Sequence, residues 1–155
     1  MKRVNLLAMC LLAAGFIACD DDTKDKVNGN ATAVANNLKS GTWTVTKFVE
    51  DAVDETDHFV DYDFSFGTDG VLTATDGTNT YTGTWAVYDD ESEDDDIYDS
   101  DIDVVINFTE PVDFLDLNDD WDVYARTGTE LQLVDVTGGD SEENAEVDFL
   151  TFQKN

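Results

Sequence analysis

"DYDFSFGTDGVLTATDGTNTYTGTWAVYD", residues 61–89, decides the fold. Together with the preceding Val60, residues Tyr62, Phe64 and Phe66 alternate with Asp61, Asp63 and Ser65, giving one apolar and one polar face. Period-two alternation of this kind marks a half-buried strand. "TDG" at 68–70 turns the chain into "VLTAT", and "DGTN" at 76–79 turns it again into "TYTGTWAVY", where Tyr81, Trp85 and Val87 share a face. Two hairpins in succession define a meander.

The same pattern continues on both sides. "TWTVTKFVE" precedes the stretch; "DIDVVINF", with Ile102, Val104, Ile106 and Phe108 on one face, follows it. "WDVYAR" carries Trp121, Val123 and Ala125, and "TGT" at 127–129 leads into "ELQLVDV" before "EVDFLTFQK" ends the chain. The whole sequence holds one proline, Pro111. Ahead of the strands, "ATAVANNLKS" spaces Val34 and Leu38 four apart, which predicts a short helix closed by Lys39, Ser40 and Gly41. Eight antiparallel strands with one apolar face each close economically as a barrel or a sandwich. A barrel leaves no edge strand, and mostly short turns favour sequential hairpins. The expectation is an all-β domain over 33–155: an eight-stranded antiparallel up-and-down barrel with a short N-terminal helix.

The N-terminus is of another kind. Lys2 and Arg3 precede an apolar run from Val4 to Ala18, too short to span a bilayer and suited to the h-region of a secretory signal. Cleavage as an ordinary signal would put bulky Phe16 at −3. "Ile17-Ala18-Cys19" instead resembles the end of a bacterial lipoprotein signal peptide, with Phe16 in place of the usual Leu. Cys10 is the rival, but "LAMC" places Met9 before it and leaves half the apolar run unused. The resemblance implies removal of 1–18 and lipidation of Cys19 with acyl chains of the palmitate class. It also implies an envelope location, an outer-membrane lipoprotein by expectation, with residues 19–32 as the acylated Cys and acidic tether. Two or more acyl chains make such anchoring stable. No thiol would then remain for a disulfide, a nucleophile or a metal. The aspartates at 20–22 also resemble the export signal of Bacteroidetes-type surface lipoproteins, whereas in other bacteria an aspartate at that place favours inner-membrane retention.

The chain carries 36 acidic and 8 basic residues; loss of Lys2 and Arg3 leaves 6 basic ones and a net charge of −30. Such a surface repels nucleic acid and anionic lipid, since phosphate contacts depend on Lys and Arg. It also favours solubility.

"LKSGTWTVTKF" resembles the start of lipocalin-like domains of bacterial lipoproteins, with Leu38, Gly41 and Trp43 at the helical turn and the Gly-x-Trp of the first strand. Gly83 and Trp85 repeat Gly-x-Trp, and "LNDDWDVYARTGTELQLVDV" and "DFLTFQKN" resemble the late strands. The family packs an Arg against the first Trp; Arg126, between the sixth and seventh strands, does not match that position. One fold hosts many functions, so activity does not transfer with the resemblance.

Two constellations invite a functional reading. Trp43, Tyr62, Phe64, Phe66, Trp85, Phe108 and Trp121 point inward on strand parity and form either an aromatic-lined pocket for a small apolar ligand or a filled core. The acidic segment "DDESEDDDIYDSDID", 89–103, offers oxygens for weak Ca²⁺ binding, with Asp94, Asp96, Asp99 and Asp101 as candidates. An EF-hand is excluded there, because Val104 stands where its glycine turns the loop. His58 is the only histidine and is expected at the surface. No nucleophile motif, phosphate cradle or metal-ligand spacing is present. The expectation is a membrane-anchored, non-catalytic binding module with no cofactor; the alternative is a packed barrel acting through its acidic surface.

Overall fold

The alternation read from the sequence builds the wall of a closed barrel. A computed structural model describes residues 31–89, 102–137 and 146–155. Helix α1 (Ala31–Leu38) leads into β1 (Thr42–Glu50), followed by β2 (Val53–Asp54), β3 (Asp63–Phe66), β4 (Val71–Thr75), β5 (Thr80–Asp89), β6 (Ile102–Phe108), β7 (Asp119–Arg126), β8 (Glu130–Thr137) and β9 (Glu146–Lys154). Two 3₁₀ turns interrupt the meander, η1 (Thr56–His58) and η2 (Val112–Leu117). From β3 to β9 each strand pairs antiparallel with the next, and β1 pairs with both β3 and β9 to close an eight-stranded up-and-down barrel. The closing seam runs from Trp43↔Lys154 to Val49↔Phe149. The β1–β3 contact covers only Thr42↔Ser65 and Trp43↔Phe64.

That short contact leaves the far half of β1 to pair with β2. The ninth strand is a two-residue flap, Val49↔Asp54 and Glu50↔Val53, not foreseen among eight. Its reversal holds Asp51 and Ala52 at φ of 49° and 62°. Both central residues of a type I′ hairpin turn need positive φ, so Ala52 sits where glycine is usual.

Parity held where strands are regular and failed where they bulge. In β1, Trp43 and Val45 face inward, but the register shifts between Val45 and Lys47, so Phe48 is the next inward residue. A bulge opposes two residues to one and thereby reverses the alternation. The strand expected from Val60 to Phe66 begins only at Asp63. Val60, expected inward, is 53% exposed, because η1 lifts the chain off the wall and drops Phe59 into the core instead.

The barrel ends are closed differently. At the end where β1 begins, α1 buries Val34 and Leu38 in the core. The Trp43 indole N–H donates to the Leu38 carbonyl at 2.8 Å, satisfying an acceptor that the helix end leaves open. Lys154 Nζ lies 5.2 Å from the Trp43 ring centre, so a lysine from the last strand, not Arg126, supplies a cation over this tryptophan. Gly41 makes room for it: a Cβ there would lie 2.7 Å from Lys154 Cε. At the opposite end η1 and η2 form the lid. Thr56 Oγ1 accepts from Phe48 N at 2.8 Å and donates to Asp54 Oδ1 at 2.6 Å, while Glu55 N donates to Phe48 O at 3.0 Å, so η1 is tied to β1 in both directions.

Candidate functional site

The interior gathers the aromatic residues singled out in the sequence. Trp43, Phe64, Phe66, Trp85, Phe108 and Trp121 are buried, while Tyr62 is half-buried and lies just before β3. Phe48, Phe59, Phe114 and Phe152 join them. Strand parity missed Phe48 because of the bulge, Phe59 because it caps η1 ahead of β3, and Phe114 because it lies on η2. Phe114 had a signal of its own: with Leu117 it makes an i, i+3 apolar pair, the spacing of a 3₁₀ face.

The rings form one continuous chain along the barrel. Trp85 meets Phe66 at 5.2 Å between ring centres, Phe66 meets Phe152 at 5.5 Å, and Phe152 meets Phe64 at 5.5 Å. Phe64 stacks on Phe114 at 5.8 Å, Phe114 meets Phe59 edge-on at 5.3 Å, and Phe59 meets Phe48 at 5.2 Å. Phe48 then reaches Trp121 at 6.3 Å. Most of these are edge-to-face, the favoured approach of aromatic quadrupoles. Gly83, on the inward parity of β5, lets the Phe108 ring come close, since a Cβ would lie 2.8 Å from it and collide with the Asn107 carbonyl. Close approach of this kind is a usual reason for a strand glycine.

All three indole N–H groups are engaged by the chain itself. Trp43 donates to Leu38 O, Trp85 to Gly67 O at 3.0 Å, and Trp121 to Leu117 O at 3.0 Å. Each tryptophan thereby pins a different connection to the wall: α1, the β3–β4 turn and η2. No polar or charged residue is buried among the described residues.

Polar chemistry collects at the end opposite α1. Glu50 closes β1, Asp119 opens β7, and Asp135 and Asp148 face each other across β8 and β9. Glu55 caps the start of η1, His58 is its last residue, and Asp116 lies on η2. Burial raises the Asp135 carboxyl to about 6, helped by the charges of Asp119 and Asp148. Glu50 is also raised, first by burial and then by Asp116, Asp148 and Glu55. Asp148 retains a compensating contact, accepting the Asp51 N–H at 2.9 Å.

One ligand atom each from Glu55, His58 and Asp116 lies within 4.8 Å of the others. Sequence reasoning placed His58 at the surface, where it lies, but could not pair it with a residue of η2. On the outer wall, Lys47 Nζ lies 4.1 Å over the Phe149 ring beside a shallow depression of about 230 Å³, also lined by Tyr124, Gln132 and Thr151. Cys19 and the acidic candidates Asp94, Asp96, Asp99 and Asp101 lie outside the described residues.

No family model matches the chain, and no curated protein matches it. Among solved structures it is similar to a duf4847 family protein from Bacteroides vulgatus ATCC 8482. The two are 18% identical, over 79% of this chain and 97% of that one, with a TM-score of 0.42.

Proposed function

We propose that the chain is a non-catalytic envelope lipoprotein whose barrel is a packed scaffold, acting through its acidic outer end. The observation that carries this reading is the unbroken contact of rings from Trp85 to Trp121, with every indole N–H already bound to a backbone carbonyl. A pocket for a small apolar ligand needs room among those rings and usually a few convergent polar groups. Instead the interior side chains meet one another. This favours a packed core over the apolar-ligand pocket that the inward aromatics also suggested.

The outer-membrane anchor follows from Cys19 and the signal-like segment before it. Since α1 closes the barrel end that the tether would enter, the end that carries Glu50, Asp116, Asp135 and Asp148 faces away from the membrane. Partners captured there are cationic, and their binding weakens as salt screens the charges.

The acyl-free chain, with residues 1–18 removed and Cys19→Ser, separates the two readings. Titration with fatty acids, haem and a hydrophobic dye should leave tryptophan fluorescence unchanged. A saturable, stoichiometric change with any of them overturns the packed reading. In cells, the native chain should label with palmitate and sediment with membranes, and Cys19→Ser should release it. Retention of the unlabelled variant on the membrane refutes the anchor.

A further inference from the structure

His58 is the one imidazole in the chain, and the fold sets it beside carboxylates from two separate turns. We propose that Glu55, His58 and Asp116 form a site for a divalent metal ion of the zinc class, with one nitrogen and two oxygen donors. This inference is independent of the membrane anchor and of the core packing against a ligand.

The local geometry follows from η1 itself. Side chains three apart eclipse on a 3₁₀ turn, so Glu55 and His58 project from the same side. His58 N donates to Glu55 O at 3.1 Å, which closes that turn. Asp116 comes from η2, two residues beyond Phe114. The buried rings of Phe59 and Phe114, 5.3 Å apart, dock the two turns on each other. Supporting shells of this kind hold ligands near productive geometry. Ligand atoms around a tetrahedral zinc, bound at about 2.1 Å, lie roughly 3.4 Å from one another. The donor atoms of Glu55, His58 and Asp116 lie within 4.8 Å of one another, so metal binding draws them closer by side-chain rotation.

Electrostatics favour a cation here. Glu50 at the end of β1 and Asp148 in β9 lie at the same end of the barrel as Glu55 and Asp116, so negative charge is crowded there. A bound dication relieves that repulsion. The donor set also selects its metal: Ca²⁺ takes six to eight oxygens and Mg²⁺ a near-octahedral oxygen shell. Imidazole with carboxylates suits Zn²⁺ and its first-row neighbours. Three protein ligands leave a position for water, so exchange at the site is open to solvent.

The test uses the chelator-treated acyl-free chain, titrated calorimetrically with Zn²⁺ at pH 7.4 in excess Ca²⁺. Calcium occupies diffuse carboxylate sites and leaves the mixed site to zinc. The expected result is one Zn²⁺ per chain, with affinity at least tenfold weaker in His58→Ala and in Asp116→Asn but unchanged in Asp57→Asn. The lone imidazole supplies a second readout: Zn²⁺ should shift the His58 ring resonances in the NMR spectrum. His58 is exposed, and circular dichroism confirms that each variant is folded. Absence of Zn²⁺ binding, binding that survives His58→Ala, or displacement of Zn²⁺ by Ca²⁺ each overturns the proposal.

Discussion

Phe114 is the side chain whose removal tests the interior most directly. Its ring meets Phe59 at 5.3 Å, Tyr62 at 5.0 Å, Phe64 at 5.8 Å, Tyr81 at 5.5 Å and Phe108 at 5.1 Å. Phe114→Ala deletes roughly 100 Å³ of side chain, and at about 24 cal/mol per Å³ an unrelaxed cavity costs about 2.4 kcal/mol. The lost burial of the ring adds about 2 kcal/mol. The total, about 4 kcal/mol, falls within the usual range for Phe→Ala in a tight core. With a urea m-value of about 1.5 kcal/mol/M, the midpoint should fall by roughly 2–3 M. Phe114→Leu should lose less than half as much, and it provides the measurement if the alanine variant does not fold. An apolar cavity of this size stays dry and accepts benzene. Benzene should therefore raise the melting temperature of Phe114→Ala and leave the native chain unchanged. A cost below about 2 kcal/mol, or benzene stabilising the native chain equally, would refute the packed-core reasoning, because both require pre-existing space.

Gly83→Ala should destabilise by about 1–3 kcal/mol, the range for overpacking, since its Cβ meets the Phe108 ring and the rigid Asn107 carbonyl. A thermal melt within a degree of the native chain would contradict that close approach. Asp135 is expected to give stability a pH dependence of defined sign. An unfolded aspartate titrates near about 3.9. The folded value is raised to about 6, so the native state holds this proton more tightly. The group's contribution is therefore full below the unfolded value and is lost as pH rises through the folded one. Because the carboxyl is largely open to solvent, the effect is discounted to about 1 kcal/mol. Asp135→Asn should stabilise the protein by that order at pH 7 and flatten the urea midpoint between about pH 4 and 6. An unchanged slope would show that Asp135 is not the group responsible.

The strands were legible because alternation is local: Phe64 and Phe66, Ile102 to Phe108, and Trp121 with Val123 declare their facing within a few residues. The helix with Val34 and Leu38 was legible for the same reason. Phe48 was not, since nothing in "TVTKFVE" announces the bulge between Val45 and Lys47. Nor was Phe59, whose neighbour Val60 continued a convincing alternation into a segment that turns away from the wall. In both cases tertiary packing overrode a local pattern, because burying a phenylalanine outweighs the regularity of one strand end.

By itself the sequence determined the antiparallel barrel, its N-terminal helix and the acidic character of its surface, all of which depend on neighbouring residues or on composition. The β2 flap on the far end of β1, the lid made by η1 and η2, and the meeting of Glu55, His58 and Asp116 were decided only by the tertiary structure. The last two join residues far apart in the chain, and their contact follows from how aromatic side chains fill one end of a closed barrel. No periodicity within either segment encodes it.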